Sequence, residues 1–172
     1  MKKTLLVSAI ATMLIIALAL PAFANTFGDY AYKVLEDGSC EIKGWYGDSE
    51  DVDIHGDIEG HPITSIGANS FSCSRNLRIV WIEHHVRTIK DRAFAECKNL
   101  SDVQIMSMSS VTSIGEHCFS GCKHLYSIRI PASVTYIADN AFEGCPNVTI
   151  FAPEGSYAIE YAQANGIKWE YD

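Results

Sequence analysis

The residues of this 172-residue chain best suited to chemistry are its six cysteines, its six histidines and a cluster of acids. His117, Cys118, Cys122 and His124 fall within eight residues and form a set that zinc accepts. Asp51, Asp53, Gly56, Asp57 and Glu59 fall on positions 1, 3, 6, 7 and 9 of a calcium loop. That loop fails at its fifth position, His55, and at its twelfth, where Pro62 replaces a bidentate glutamate. The adjacent pair His84-His85 does not converge on one ion from a strand or turn. For nucleophilic catalysis there is no Gly-x-Ser-x-Gly elbow, and no glycine-rich phosphate loop opens a helix. Serine, histidine and aspartate occur in no spacing that implies a triad. The chain therefore reads as a non-enzyme without a cofactor, and the zinc question turns on the elements that carry those four side chains.

Those elements repeat. Four segments align on Phe71, Phe94, Phe119 and Phe142, at separations of 23, 25 and 23 residues. Five residues before each stands Ile66, Ile89, Ile114 or Ile137, and six after each Leu77, Leu100, Leu125 or Val148. The residue just before each phenylalanine is small: Ser70, Ala93, Cys118, Ala141. The longer interval comes from the loop Met106–Ser110, and an insertion confined to a loop leaves stacked positions in register. Leu77–Ile82, Leu100–Ile105 and Leu125–Ile130 alternate, which predicts short strands with one buried face. Val134–Ile137 alternates again as a second short strand, and Asp139–Cys145 has room for one helical turn with Phe142 inward. One such coil cannot bury its own apolar side chains. Stacked coils bury a continuous ladder and turn the strands into parallel sheets.

On such coils the four zinc candidates diverge. Cys122 belongs to the ladder, Cys118 fills the small inward slot, and His117 and His124 occupy variable positions that face solvent. Cys97, Cys122 and Cys145 recur at one repeat position and read as small buried hydrophobes. In an exported chain the off-pattern Cys40, Cys73 and Cys118 are the better disulfide candidates, with connectivity open. The acids from Asp48 to Glu59 alternate with Val52 and Ile54 and read as the wet side of a cap strand.

Residues 1–24 read as a signal peptide: Lys2 and Lys3, an apolar run from Leu5 to Leu20, then Ala22-Phe23-Ala24. The run is long enough that retention as a membrane anchor is the alternative. Removing the two lysines takes the formal charge from −8 to −10, which leaves no basic surface for nucleic acid. No other stretch is long enough to span a bilayer. Residues 25–62 read as an N-terminal cap, with a hairpin about Asp37-Gly38 and an incomplete first coil. Residues 63–153 form about four coils, and residues 154–172 a helix-strand cap opened by Ser156 and stopped by Gly166.

The core pattern is best seen in Val111-Thr112-Ser113-Ile114-Gly115…Phe119…Cys122…Leu125 and Val134-Thr135-Tyr136-Ile137…Ala141-Phe142…Cys145. It resembles the BspA-type leucine-rich repeats over roughly Ile54 to Pro153. Lys90 and Ala138 depart from it by replacing the glycine after the isoleucine, and Cys73 stands one place before the usual cysteine. The resemblance implies an α/β, right-handed leucine-rich-repeat solenoid with short parallel strands and single helical turns, capped at both ends. It also implies a secreted or cell-surface protein of a host-associated microbe and an adhesin-like role, without naming the ligand.

With chemistry set aside, surface remains. The outward positions of the ladder strands are Trp81, Gln104, Arg129 and Phe151, flanked by Ile79, Glu83, Asp102, Met106 and Ser127. Tryptophan, methionine, arginine and phenylalanine in one exposed row are interface-type residues. They predict non-catalytic recognition of a protein partner, host or cell-surface. The alternative is a structural or assembly component of the cell envelope.

Overall fold

The isoleucine and phenylalanine ladders of the sequence become the inner walls of a stack of coils. The computed structural model describes residues 25–172 apart from His55, so the expected signal peptide lies outside the described residues. In chain order the strands are β1 Asn25–Phe27, β2 Tyr30–Val34, β3 Cys40–Trp45, β4 Asp51–Ile54, β5 Asp57–Ile58, β6 His61–Ile66 and β7 Ile79–Ile82. They continue with β8 Thr88–Ile89, β9 Asp102–Ile105, β10 Ser113–Ile114, β11 Ser127–Arg129, β12 Tyr136–Ile137 and β13 Thr149–Ala152. Helix α1, Tyr157–Ala164, and strand β14, Lys168–Tyr171, complete the chain.

Two sheets face each other across the core. The front sheet runs β4-β7-β9-β11-β13-β14, every pair parallel. Its inner positions Val52, Val80, Val103, Ile128 and Ile150 stand side by side. The back sheet stacks β6, β8, β10 and β12 in parallel, aligning Ile66, Ile89, Ile114 and Ile137. Beyond β6 it gains β3, still parallel, and then continues antiparallel through β2 and β1, while β5 pairs with β6 alone. Four coils each contribute a front strand, a back strand and a phenylalanine. Strands β13 and β14 then carry the front sheet two rungs further, giving about six turns. Strand β4 leads through β6 to Phe71, so the expected boundary at 62/63 falls inside β6.

The third side of each coil fills the space expected for a helical turn with successive i→i−3 turns. Ala93, Ala95 and Cys97 donate to Lys90, Arg92 and Phe94, while the alternate amides of Phe94 and Glu96 donate to Cys118 and Ser120 of the next coil, at 2.9 and 2.7 Å. This side is therefore hydrogen-bonded laterally, as the sheets are. The first three coils use left-handed residues two before and two after the phenylalanine, Asn69 and Cys73, Arg92 and Glu96, His117 and Gly121, and the fourth uses Gly144 alone, two after Phe142.

Between the three sides the rings stack. Phe71, Phe94, Phe119 and Phe142 follow one another with centroids 5.0, 5.5 and 5.3 Å apart. The caps prolong this column. Trp45 stacks on Phe71 at 5.8 Å and Tyr30 on Trp45 at 4.9 Å, while Tyr161 of α1 closes the far end 6.1 Å from Phe142. Helix α1 takes the place of a back strand between β13 and β14 and buries Ala158, Ile159, Tyr161 and Ala162. Ser156 holds the N-cap backbone geometry without a side-chain bond, and Gly166, at φ 65°, ends the segment in the left-handed region.

Candidate recognition surface

Because strand residues alternate between faces, the register of the front sheet determines which side chains share its outer surface. Asp53, Trp81, Gln104, Arg129, Phe151 and Glu170 are paired across successive strands and form one row. Asp51, Ile79, Asp102, Ser127, Thr149 and Lys168 form the next. Glu83 and Met106 follow directly after β7 and β9. The fold thus brings all the expected outward residues onto one face. Trp81, Gln104, Arg129 and Phe151 are half-buried, and Met106 is exposed.

The centre of the face is tied together. Gln104 Nε2 donates to Asp102 Oδ1 at 2.6 Å, and Arg129 Nε donates to Gln104 Oε1 at 3.0 Å. The other arm of Arg129 pairs with Asp172 Oδ1. This polar chain spans β9, β11 and the residue after β14, with Trp81 beside it on β7 and Phe151 on β13 within its span. Arg129 is accordingly a held group whose side chain stays partly exposed. Neither Asp172 nor the outward residues of β14 were singled out from sequence, although the alternation of Lys168-Trp169-Glu170-Tyr171 carries that signal.

The chemistry-bearing residues go to separate places. His117 pairs with Glu143 at 2.9 Å and meets Asn140 at 3.0 Å, while His124 Nδ1 lies 2.7 Å from the Lys98 carbonyl. Cys122 is buried and donates to the Phe94 carbonyl at 3.1 Å. Its ladder partners do the same, Cys97 to Phe71 and Cys145 to Phe119, both at 3.0 Å. The repeat cysteines are thus hydrogen-bond donors across each junction between coils as well as apolar filling. Burial pushes the Cys97 thiol up to about 12 and the Cys145 thiol to about 11.

All six cysteines are free thiols, and the disulfide candidates Cys40, Cys73 and Cys118 go to different places. Cys40 is buried on β3 and donates to the His61 carbonyl, and Cys118 is fully buried before Phe119. Cys73 is exposed on a left-handed turn residue of another coil. The acids of the calcium-like segment are also engaged apart. Asp57 Oδ1 accepts from the Gly60 amide at 2.6 Å, Glu59 accepts from the Tyr32 hydroxyl, and Asp51 lies 3.8 Å from Arg78.

Comparison with known proteins matches residues 57–163 to the BspA type leucine rich repeat region, in six copies. The chain belongs to the BspA-type leucine-rich-repeat family. This BspA-type chain is similar in structure to a leucine-rich repeat protein from Bacteroides capillosus, at 27% identity and a TM-score of 0.63, covering 74% of this chain and 97% of that one. A leucine-rich repeat protein from Bacteroides ovatus matches at 27% identity and 0.60, covering 77% of this chain but only 38% of its own. The T. pallidum leucine rich repeat protein TpLRR, at 21% identity and 0.55, covering 74% and 70%, shares the fold. No curated protein matches the BspA-type chain. Family and fold are those of protein-interaction modules. No helix among the described residues is long and apolar enough to cross a membrane.

Proposed function

We propose that the chain is an exported, adhesin-like recognition module that binds a protein partner, host or cell-surface, through the outer face of its front sheet. The observation that carries this reading is the row Trp81, Gln104, Arg129 and Phe151, aligned strand by strand with Ile79, Asp102, Glu83 and Met106 around it. A flat sheet face with two aromatic anchors and a pre-ordered arginine between them suits contact with another protein surface. Holding Arg129 in place before contact reduces the side-chain ordering that binding otherwise requires.

The test is saturable binding of the protein to immobilised extracellular-matrix and cell-surface proteins. Trp81→Ala combined with Arg129→Ala is expected to weaken that binding by at least ~30-fold, about 2 kcal/mol, while thermal stability changes little. Undiminished binding by the double variant would remove the face from consideration. Self-association without a saturable partner would instead favour assembly within the cell envelope. Sequencing the N-terminus of protein from culture supernatant tests export, with Asn25 as the expected first residue.

A further inference from the structure

The two sheets do not end level at the N-terminal side of the stack. Beyond β6 the back sheet gains β3, β2 and β1, whereas the front sheet stops at β4, which pairs only with β7 among the described residues. The result is a step, and in it lies a groove of about 350 Å³. Phe27, Tyr30, Trp45 and Val52 supply its apolar walls, and Asp29, Asp51 and Asp53 its charge; among the described residues no lysine or arginine lines it.

The backbone of β4 is turned toward this groove at Asp51. Glu50 and Ile54 accept from Ile79 and Glu83, both at 3.1 Å, so their carbonyls point at β7. Strand alternation then directs the Asp51 amide and carbonyl to the opposite edge. There the Ser49 hydroxyl donates to the Asp51 carbonyl at 2.8 Å, occupying the acceptor as the N–H of another strand would. The apolar floor is the open end of the aromatic column, where Tyr30 lies on Trp45 and Trp45 on Phe71. Burial, with Asp53 and Asp29 nearby, pushes the Tyr30 hydroxyl up to about 12, so the pocket wall stays neutral beneath an anionic rim.

We infer that β4 accepts an extended segment of a partner protein as an added strand. Its apolar side chains enter the groove against Phe27, Tyr30 and Trp45, and lysine or arginine at alternate positions lies beside Asp51 and Asp53. Main-chain bonds then supply affinity, and the alternation of basic and apolar residues supplies selectivity. Strand β14 of a second copy fits less well, because against Asp51 and Asp53 its outward Lys168 and Glu170 match one acid and oppose the other. This edge site adjoins the Trp81 face, whose rows end in Asp51 and Asp53, but uses the edge of β4 and the groove beside it.

The experiment uses fluorescence anisotropy with a labelled peptide alternating lysine and valine, against a control alternating glutamate and valine, on the mature protein. The lysine peptide is expected to bind at least ~10-fold more tightly than the control, with affinity falling as salt rises. Asp51→Pro leaves the bonds to β7 in place but removes the outward N–H, and is expected to weaken binding at least ~10-fold. Asp51→Asn, which keeps that N–H, is expected to lose less. Should Asp51→Pro not fold by circular dichroism, Phe27→Ala removes an exposed groove wall and is expected to weaken binding severalfold. Equal binding of both peptides, no binding of either, or full binding by Asp51→Pro or by Phe27→Ala overturns the inference. So does self-association that Asp51→Pro abolishes while the peptide fails to bind.

Discussion

Glu41 is a carboxylate taken almost entirely out of water, with 8% of its side chain exposed, and answered by two ammonium groups. Lys90 Nζ lies 2.8 Å from one oxygen and Lys43 Nζ 3.1 Å from the other. Burial pushes the carboxyl up, but the two lysines outweigh it and hold it below its ordinary value of 4.5. A carboxyl depressed in the folded state contributes stability that is complete above its unfolded value. That contribution is lost as pH falls through the folded value. Glu41→Gln is therefore expected to lower stability by about 1–2 kcal/mol at neutral pH, and the urea midpoints of the two proteins should draw together as pH falls below the ordinary carboxyl range. The neighbouring Gly67 is obligatory, since a Cβ there would stand 2.3 Å from the Ile42 carbonyl and 2.7 Å from Glu41 Oε1. In the repeat alignment Lys90 was visible only as a departure from glycine. Its partner, 49 residues away on the cap hairpin, follows from how β3 docks beside β6, which no local pattern records.

At the level of elements, strands were the most legible because their alternation is a one-dimensional signal. The front strands, the Asp37-Gly38 hairpin, α1 and β14 all stand where the sequence places them. The turn side was less legible, since its lateral bonds run between coils and depend on left-handed residues that several side chains adopt. Two coils use glycine after the phenylalanine, Gly121 and Gly144, both at φ 73°. The other two place Cys73 and Glu96 in the same conformation, at φ 62° and 58°. A side chain in this region costs roughly 1–2 kcal/mol, part of which glycine returns through the entropy of the unfolded chain. Glu96→Gly is expected to stabilise the protein by about 0.5–1 kcal/mol, measured by urea denaturation. A destabilised variant would mean that the Glu96 carboxylate, which lies over Gly121, holds the two coils together. The candidate face divides in the same way: its row positions were readable from repeat spacing. The chain from Asp102 through Gln104 and Arg129 to Asp172 was not, because it closes only when β14 joins the sheet.

Across the whole molecule the core is a column rather than a ball, with each coil in contact chiefly with its neighbours. Such a stack is as stable as its weakest junction, and its ends need closing. Tyr30 and Trp45 at one end and Tyr161 at the other extend the ring stacking into the caps, each ring pair adding about 0.5–1.5 kcal/mol beyond area burial. Six rungs present a face of modest area, so firm attachment to a surface calls for clustering or for two sites on one partner, such as the face and the β4 edge. The thiols add one more property. Cys97, Cys122 and Cys145 each bond to the phenylalanine carbonyl of the coil before, one sulfur at every junction between phenylalanine coils. All three are buried, while Cys73 is exposed. An alkylating reagent should therefore mark Cys73 at once and reach each of the others only when its own junction parts. Mass spectrometry of partially labelled protein is expected to find the middle sulfur, Cys122, modified last. Equal rates at all three would show that the coils open as one. The chain carries its own clocks for fraying, spaced along its axis and needing no introduced probe.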